Sequence, residues 1–377
     1  DKAAEKLSYS CNMSKEKKMS FIKDYVGKNL YKDVTEIADT PIDWNKFMNK
    51  TVLITGANGF IAYYLTLALL LQNDRKNLGI TVMGLVRNQA KAEAKYGKIL
   101  ERSDLKLVSK DVCGDLSDLE HADYIIHAAS QATPYYFEND PVGTIEANTL
   151  GTSNILQYAC REKALGVLMI SSLKVYGEVK NGKPEIEEED LGYINIDDYY
   201  NCYATGKRTM ETVCNCYVKQ YGLPVKLARP SYIYGASTLQ DDRVWAQFLA
   251  NVIRKEDILL KSNGGAYRSF CYVTDTASAL LTILLNGESG VPYNISSKNS
   301  DVTIRNFAKA ATEVFPERKL KLSFANKEDE AEPVLDYSEK TPEILSSKRL
   351  QSLGWIGRID IKEGIRRAVL TMEERES

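Results

Sequence analysis

Between residues 51 and 228, short apolar runs alternate with longer stretches of helical periodicity. Runs at 51–55, 80–86, 105–108, 124–128, 167–171 and 225–228 have too few polar positions to leave a wet face, and read as buried strands. Residues 61–71 are apolar all round, as expected of a helix wedged between a sheet and its neighbours. Residues 143–163 and 199–221 predict two further long helices. Strands alternating with helices imply right-handed crossovers and a parallel sheet. The pattern therefore predicts an α/β fold with a Rossmann-type doubly wound parallel sheet, whose ligands bind beyond the carboxyl ends of the strands.

The alternation fades after residue 231. The chain divides on this reading into an N-terminal extension (1–50), a dinucleotide-binding domain (51–230) and a smaller α+β substrate-binding part (231–377), with 269–285 returning to the first domain. Residues 1–50 begin polar and lysine-rich and become weakly amphipathic. Pro41-Ile42-Asp43-Trp44 suggests a short docking segment. The charge run at 327–332 reads as a solvated loop.

Composition narrows the picture. A chain of 377 residues, 44% hydrophobic and 27% charged, can bury a sizeable core. A net charge of −2 argues against a general nucleic-acid binder, which would carry a basic surface. The longest apolar run, 65–71, is too short for a bilayer, so no membrane partner is expected. Seven cysteines, odd in number and without CxxC spacing, point to neither disulfides nor a metal site, and fit a reduced cytoplasmic compartment. The chain opens on Asp1. Met13 and Met19 are alternative starts, and a processed or longer polypeptide fits equally.

Three separated pieces carry chemistry. In Thr55-Gly56-Ala57-Asn58-Gly59-Phe60-Ile61-Ala62, Gly56, Gly59 and Ala62 follow a strand and open a helix. Glycine there admits a tight turn and a close pyrophosphate, and the helix N-terminus offers free N–H groups. The spacing is GxxGxxA rather than GxGxxG. At the end of the second strand, where an acid would grip the adenosine ribose, stand Val86, Arg87 and Asn88. Arg87 is either a solvated loop residue or a partner for a 2′-phosphate, so NAD and NADP stay open. Asp111 is either a turn aspartate or a partner for the adenine amine. The third piece pairs Ser171-Ser172-Leu173-Lys174-Val175-Tyr176-Gly177 with Tyr203 and Lys207, four apart and thus on one helix face. A free tyrosine has a pKa of ~10. The Lys207 ammonium and a cationic nicotinamide are expected to draw Tyr203 down, so that it takes a proton from a sugar hydroxyl held by Ser172. His121 reads as a surface residue and His127 as structural. Trp245 and Tyr267 either pack or stack on a base.

These motifs, with His127-Ala128-Ala129-Ser130, Asn139-Asp140-Pro141, Asn148-Thr149-Leu150-Gly151-Thr152, Cys202-Tyr203-Ala204-Thr205-Gly206-Lys207-Arg208 and Arg268-Ser269-Phe270-Cys271-Tyr272-Val273-Thr274-Asp275, carry a resemblance. Residues 51–355 resemble an extended short-chain dehydrogenase/reductase of the nucleotide-sugar epimerase/dehydratase family, nearest its UDP-glucuronate decarboxylase branch. The resemblance implies transient oxidation at C4 of a nucleotide-diphosphate sugar by a tightly held nicotinamide cofactor. It implies cofactor contacts from Gly56, Asn58, Gly59, Phe60, Ile61, Arg87, Asp111, Val112, Ala128, Ala129, Ser130, Asn148, Tyr203, Lys207 and Pro230. It places Thr133, Lys174, Tyr232, Arg243 and Arg268 toward the substrate, Arg268 at its diphosphate, and implies a homodimer through the helices at 143–163 and 199–221.

Two departures bear on the reaction. Decarboxylases of this branch carry a glutamate where Lys174 stands, and 4,6-dehydratases an Asp-Glu pair where Leu173-Lys174 stand. Tyr232 occupies the place of an asparagine that touches the sugar nucleotide. Without those acids, 4-epimerisation is the simplest expected outcome. Decarboxylation of a nucleotide-linked uronic acid, dehydration, or one-way NADPH-dependent reduction are the enzymatic alternatives, and a cofactor-sensing regulatory protein is the non-enzymatic one.

Overall fold

The computed structural model describes residues 22–23, 25–331 and 341–376. The elements in chain order are α1 (Lys28–Ala38), β1 (Thr51–Thr55), α2 (Phe60–Lys76), β2 (Thr81–Val86), α3 (Gln89–Tyr96), β3 (Leu105–Ser109), β4 (Tyr124–His127), α4 (Pro134–Asn139), α5 (Pro141–Glu162) and β5 (Gly166–Ile170). There follow α6 (Cys202–Tyr221), β6 (Val225–Pro230), β7 (Tyr232–Tyr234), α7 (Val244–Arg254), β8 (Ile258–Leu260), β9 (Tyr267–Tyr272) and α8 (Val273–Asn286). The chain closes with β10 (Pro292–Ile295), β11 (Asp301–Thr303), α9 (Ile304–Glu313), β12 (Leu322–Phe324), α10 (Lys348–Gln351) and α11 (Ile361–Glu376).

Seven strands form one parallel sheet in the order β10-β6-β5-β4-β1-β2-β3. The chain enters at β1, runs outward to β3, then returns past β1 to β4 and runs the other way. β1 thus pairs with β2 and β4 at once, Thr55 lying level with Leu85 and with His127. The crevice between β1 and β4 is the switch point at which such sheets take ligands. Apolar residues continue along β1, β2 and β4–β6 because helices cover both faces. α2 is buried almost throughout, and Asn77 in the left-handed region ends it.

α5 starts at an Asp140 cap, whose carboxylate accepts from Gly143 N at 3.1 Å, with Pro141 in the first turn. α6 ends at Gly222, φ 66°. These two helices lie against each other, and at Gly206 an added Cβ would sit 3.0 Å from the Cβ of Asn148. The helix axes approach closely there because Gly206 has no side chain.

The smaller part holds a three-stranded sheet, β11-β9-β7, and a parallel pair of β12 and β8. α8 leaves β9 and packs on β5 and β6. The 327–332 charge run holds a short 3-10 turn at Lys327–Glu330. Ahead of the sheet, α1 buries Leu30, Val34, Ile37 and Ala38 against α2, α8 and α11. Its first turn has no cap of its own. Lys28 N and Asn29 N instead donate to the Glu374 carboxylate of α11 at 2.7 and 2.9 Å. Trp44 is buried beside Phe47 and donates from Nε1 to the Thr40 carbonyl at 3.0 Å. Among the described residues no helix is long and apolar enough to cross a membrane.

Candidate active site

The turn after β1 is built for close approach. Thr55 Oγ1 accepts from Ala128 N and Ala129 N, both at 3.1 Å, and bonds His127 Nδ1 at 2.9 Å, tying β1 to the end of β4. Gly56 has φ 64°, and a Cβ there would fall 2.9 Å from the Ala129 Cα. A Cβ on Gly59 would meet the Gly56 carbonyl at 2.9 Å. α2 then starts at Phe60 with no side-chain cap, leaving its first N–H groups and dipole toward the crevice. Ala62 is buried beneath. The cradle and the uncapped helix end fit a dinucleotide pyrophosphate. Lys95 of α3 donates to the carbonyls of Asn58 and Gly59 at 3.0 and 3.3 Å, and desolvation lowers its pKa to about 7.

At the end of β2 Val86 is buried, while Arg87 is exposed with Nη1 4.0 Å from Asp111 Oδ2. The other Asp111 oxygen accepts from Cys113 N at 2.8 Å, so this residue shapes its turn and also faces Arg87. Val112 is buried against Gly151 of α5.

After β4, Ala128, Ala129 and Ser130 border the crevice. Ser130 Oγ donates to Asn148 Oδ1 at 2.9 Å, and the buried Asn148 donates to the Thr144 carbonyl at 2.8 Å. His127 is fully desolvated. Burial, and secondarily the nearby Lys207, lowers its pKa to about 3, so it stays neutral. His121 is exposed, with Nδ1 3.0 Å from the Glu162 carboxylate. Thr133 leads into α4, whose Phe137 stacks on the Tyr203 ring at 5.0 Å and 22°.

Ser172 follows β5 directly, and its Oγ accepts from Lys174 N at 3.2 Å, starting the 3-10 turn Leu173–Tyr176. Tyr203 sits in the first turn of α6, where its phenol feels the Ser172 side chain. Lys207, one turn on, is buried, with Nζ donating to the Ile170 carbonyl at 2.7 Å and lying 5.7 Å from the Tyr203 ring centre. The residue spacing thus places three side chains from two elements at one strand end.

Electrostatics correct one expectation. Burial raises the Tyr203 pKa, opposed by the Ser172 hydrogen bond and by the Lys174 ammonium. Burial also lowers Lys207 to about 7, opposed by the Glu211 carboxylate. In the protein by itself desolvation therefore outweighs the assistance expected from Lys207. Glu211 lies one helical turn beyond Lys207 and binds Arg229 through Nη2 at 2.6 Å and Nε at 2.9 Å. Arg229 also donates to Tyr176 Oη and the Glu188 carbonyl, fixing the segment that ends at the buried Pro230.

Of the residues that the resemblance places toward a substrate, Lys174, Tyr232 and Arg268 come together, and a fourth residue joins them. Glu343 accepts from Lys174 Nζ at 2.9 Å and from Tyr232 Oη at 2.6 Å, and pairs with the Arg268 guanidinium. Lys174 Nζ also reaches Tyr232 Oη at 3.0 Å. Arg243 makes its contacts elsewhere, with Asp241 and Ser237 and over the rings of Trp245 and Phe60. Trp245 is buried and packs on Phe60 and Tyr234. Glu343, Glu211 and Lys95 were not singled out from the sequence. Only Glu211 had a usable signal, its four-residue spacing from Lys207.

Residues 52–296 match the NAD dependent epimerase/dehydratase family, well over half of the chain. The chain belongs to that family. Among its relatives is UDP-glucuronic acid decarboxylase 6 of Arabidopsis thaliana, 30% identical over 333 residues, spanning 86% of this chain and 90% of the relative. UDP-glucuronic acid decarboxylase 1 of Danio rerio is 29% identical over 324 residues, spanning 85% and 72% of the two chains. The fold matches that of an epimerase from Methanothermobacter thermautotrophicus with a TM-score of 0.73 at 21% identity, covering 91% of this chain and 96% of the other. It also matches a UDP-glucuronic acid 4-epimerase from Bacillus cereus solved with UDP-glucuronic acid and NAD, with a TM-score of 0.68 at 18% identity, covering 86% and 99%. The protein is a nicotinamide-dependent enzyme of the nucleotide-sugar epimerase, dehydratase and decarboxylase group.

Proposed function

We propose that this epimerase/dehydratase-family enzyme oxidises C4 of a nucleotide-diphosphate sugar and reduces it again, with 4-epimerisation as the net reaction. The convergence of Ser172, Tyr203 and Lys207 beside the β1–β4 crevice carries this reading. Gly56, Gly59 and the first turn of α2 would hold the pyrophosphate of NAD, with Ala128, Ala129 and Ser130 alongside. NAD, when bound, accepts a hydride and later returns it. Ser172 would hold the C4 hydroxyl toward Tyr203, which, deprotonated with the help of a cationic nicotinamide beside it, would take the hydroxyl proton as the C4 hydrogen departs as hydride. Lys207 orients Tyr203 from the Ile170 carbonyl. With the ketone turned to present its other face, Tyr203 would return the proton to the C4 oxygen as hydride comes back, giving the C4 epimer.

Leu173 and Lys174 supply no carboxylate at the positions where dehydratases and decarboxylases carry theirs. Epimerisation needs no further acid. Decarboxylation of a nucleotide-linked uronic acid is the second reading, favoured by similarity to UDP-glucuronic acid decarboxylases over 86% of the chain. A β-keto acid loses carbon dioxide with little assistance once C4 is oxidised. In this reading the enzyme is a homodimer through α5 and α6, and the chain divides near residue 230 into cofactor-binding and substrate-capping parts.

Incubation with a panel of nucleotide sugars, followed by mass spectrometry and sugar analysis, tests the reading. A C4 epimer of unchanged mass is expected. Loss of carbon dioxide selects the second reading, and gain of two hydrogens a one-way reductase. An absence of turnover with every sugar tried removes the proposal.

A further inference from the structure

We infer that Glu343 is a resident counter-anion of the sugar-nucleotide pocket, seated on Lys174, Tyr232 and Arg268, and that an anionic group of the ligand binds by displacing it. The inference deepens the nucleotide-sugar reading and rests on it.

Three donors from three elements converge on one carboxylate. Lys174 comes from the turn after β5, Tyr232 from β7 and Arg268 from β9. Glu343 receives all three, and the Lys174 ammonium and Arg268 guanidinium lie 5.5 and 5.0 Å from the Tyr232 ring centre. Such a set of donors is a carboxylate or phosphate receptor, already occupied by a group from the chain itself. It adjoins the chemistry, since Lys174 lies two residues after Ser172 and its charge is felt at Tyr203.

The cluster is partly exposed to solvent rather than a core contact. Side-chain exposure is 40% at Lys174, 29% at Arg268 and 14% at Glu343. Ion pairs this wet are worth little individually, so a ligand anion can exchange for the carboxylate. The Glu343 backbone, by contrast, is held. Ser269 N donates to the Glu343 carbonyl at 3.0 Å, and Leu345 N donates to Ser269 Oγ at 3.0 Å. Displacement therefore needs only rotation of the Glu343 side chain.

Two cations and one anion leave the receptor with one net positive charge. Once Glu343 swings away, two cations face the ligand, which favours a multiply charged anion such as a diphosphate. The competing internal carboxylate lowers apparent affinity by the fraction of molecules whose receptor is free.

Calorimetric titration of UDP into wild type, Glu343→Gln and Glu343→Gln/Lys174→Met decides the matter. UDP is expected to bind Glu343→Gln about tenfold more tightly than wild type. The gain should shrink as ionic strength rises, and Lys174→Met should remove most of it. Equal or weaker binding by Glu343→Gln, with UDP still bound by wild type, overturns the inference alone. Binding of UDP and the other nucleoside diphosphates by neither protein overturns the nucleotide-sugar reading and this inference with it. Should Glu343→Gln not fold, Glu343→Asp, which withdraws the carboxylate by one methylene, takes its place. A smaller gain in UDP affinity supports the inference and no gain overturns it.

Discussion

The ammonium of Lys207 lies 5.7 Å from the centre of the Tyr203 ring and is anchored to the Ile170 carbonyl at 2.7 Å. The anchor fixes Lys207 to the end of β5, where Ser172 begins, so phenol, hydroxyl and ammonium share one reference point. Replacing Tyr203 by Phe removes the hydroxyl while keeping the stack on Phe137. Turnover should fall by roughly 10²–10⁴-fold with little change in nucleotide affinity. Steady-state kinetics beside calorimetry will check this, and undiminished turnover would rule out Tyr203 as the proton carrier.

Gly56 and Gly182 separate backbone strain from crowding. Both have positive φ, 64° and 70°, but an added Cβ meets Ala129 at 2.9 Å in the first case and nothing within 4 Å in the second. Gly182→Ala should cost only about 1–2 kcal/mol of stability. Gly56→Ala should cost more and should also abolish NAD binding, because Ala129 must shift. Thermal unfolding with and without NAD distinguishes them.

Cofactor choice turns on Arg87 and Asp111, 4.0 Å apart. The Asp111 carboxylate offsets the guanidinium and repels a 2′-phosphate, so NAD should bind better than NADP. Asp111→Asn should strengthen NADP binding by roughly fivefold, in keeping with the small energy of an exposed pair, and leave NAD unchanged. Arg87→Ala in that background should cancel the gain. Fluorescence titration with each dinucleotide provides the test.

Asp33 links stability to pH. Burial raises its carboxyl to about 6, against the Tyr272 hydroxyl bond and the Arg367 charge. The folded state holds this proton more tightly than the unfolded chain. The stability it contributes is therefore complete below about pH 4 and is lost as pH rises through about 6. Between those limits wild type should lose about 2–3 kcal/mol more than Asp33→Asn, which cannot ionise. Urea unfolding at fixed ionic strength measures the difference.

The sheet was legible because its central strands are buried on both faces and so lack polar positions, as in Val52-Leu53-Ile54. The convergence of Ser172, Tyr203 and Lys207 was legible because strand ends and four-residue helical spacing are local signals. Glu343 was not, since it meets Tyr232 across 111 residues and only the folded chain joins them. Lys95 reaches the glycine turn across 37 residues by the same kind of non-local contact. The rise of the Tyr203 pKa in the protein by itself was not legible for another reason. Spacing reveals a neighbouring charge, whereas the desolvation that outweighs it depends on how completely Phe137 and the surrounding strands exclude water.

The Glu374 carboxylate that receives Lys28 N and Asn29 N acts across 346 residues. The first turn of α1 therefore lacks this partner until α11 has been made and has docked. Closure of this contact thus waits on α11, and loss of the Glu374 carboxylate frees the first turn of α1 along with the last turn of α11.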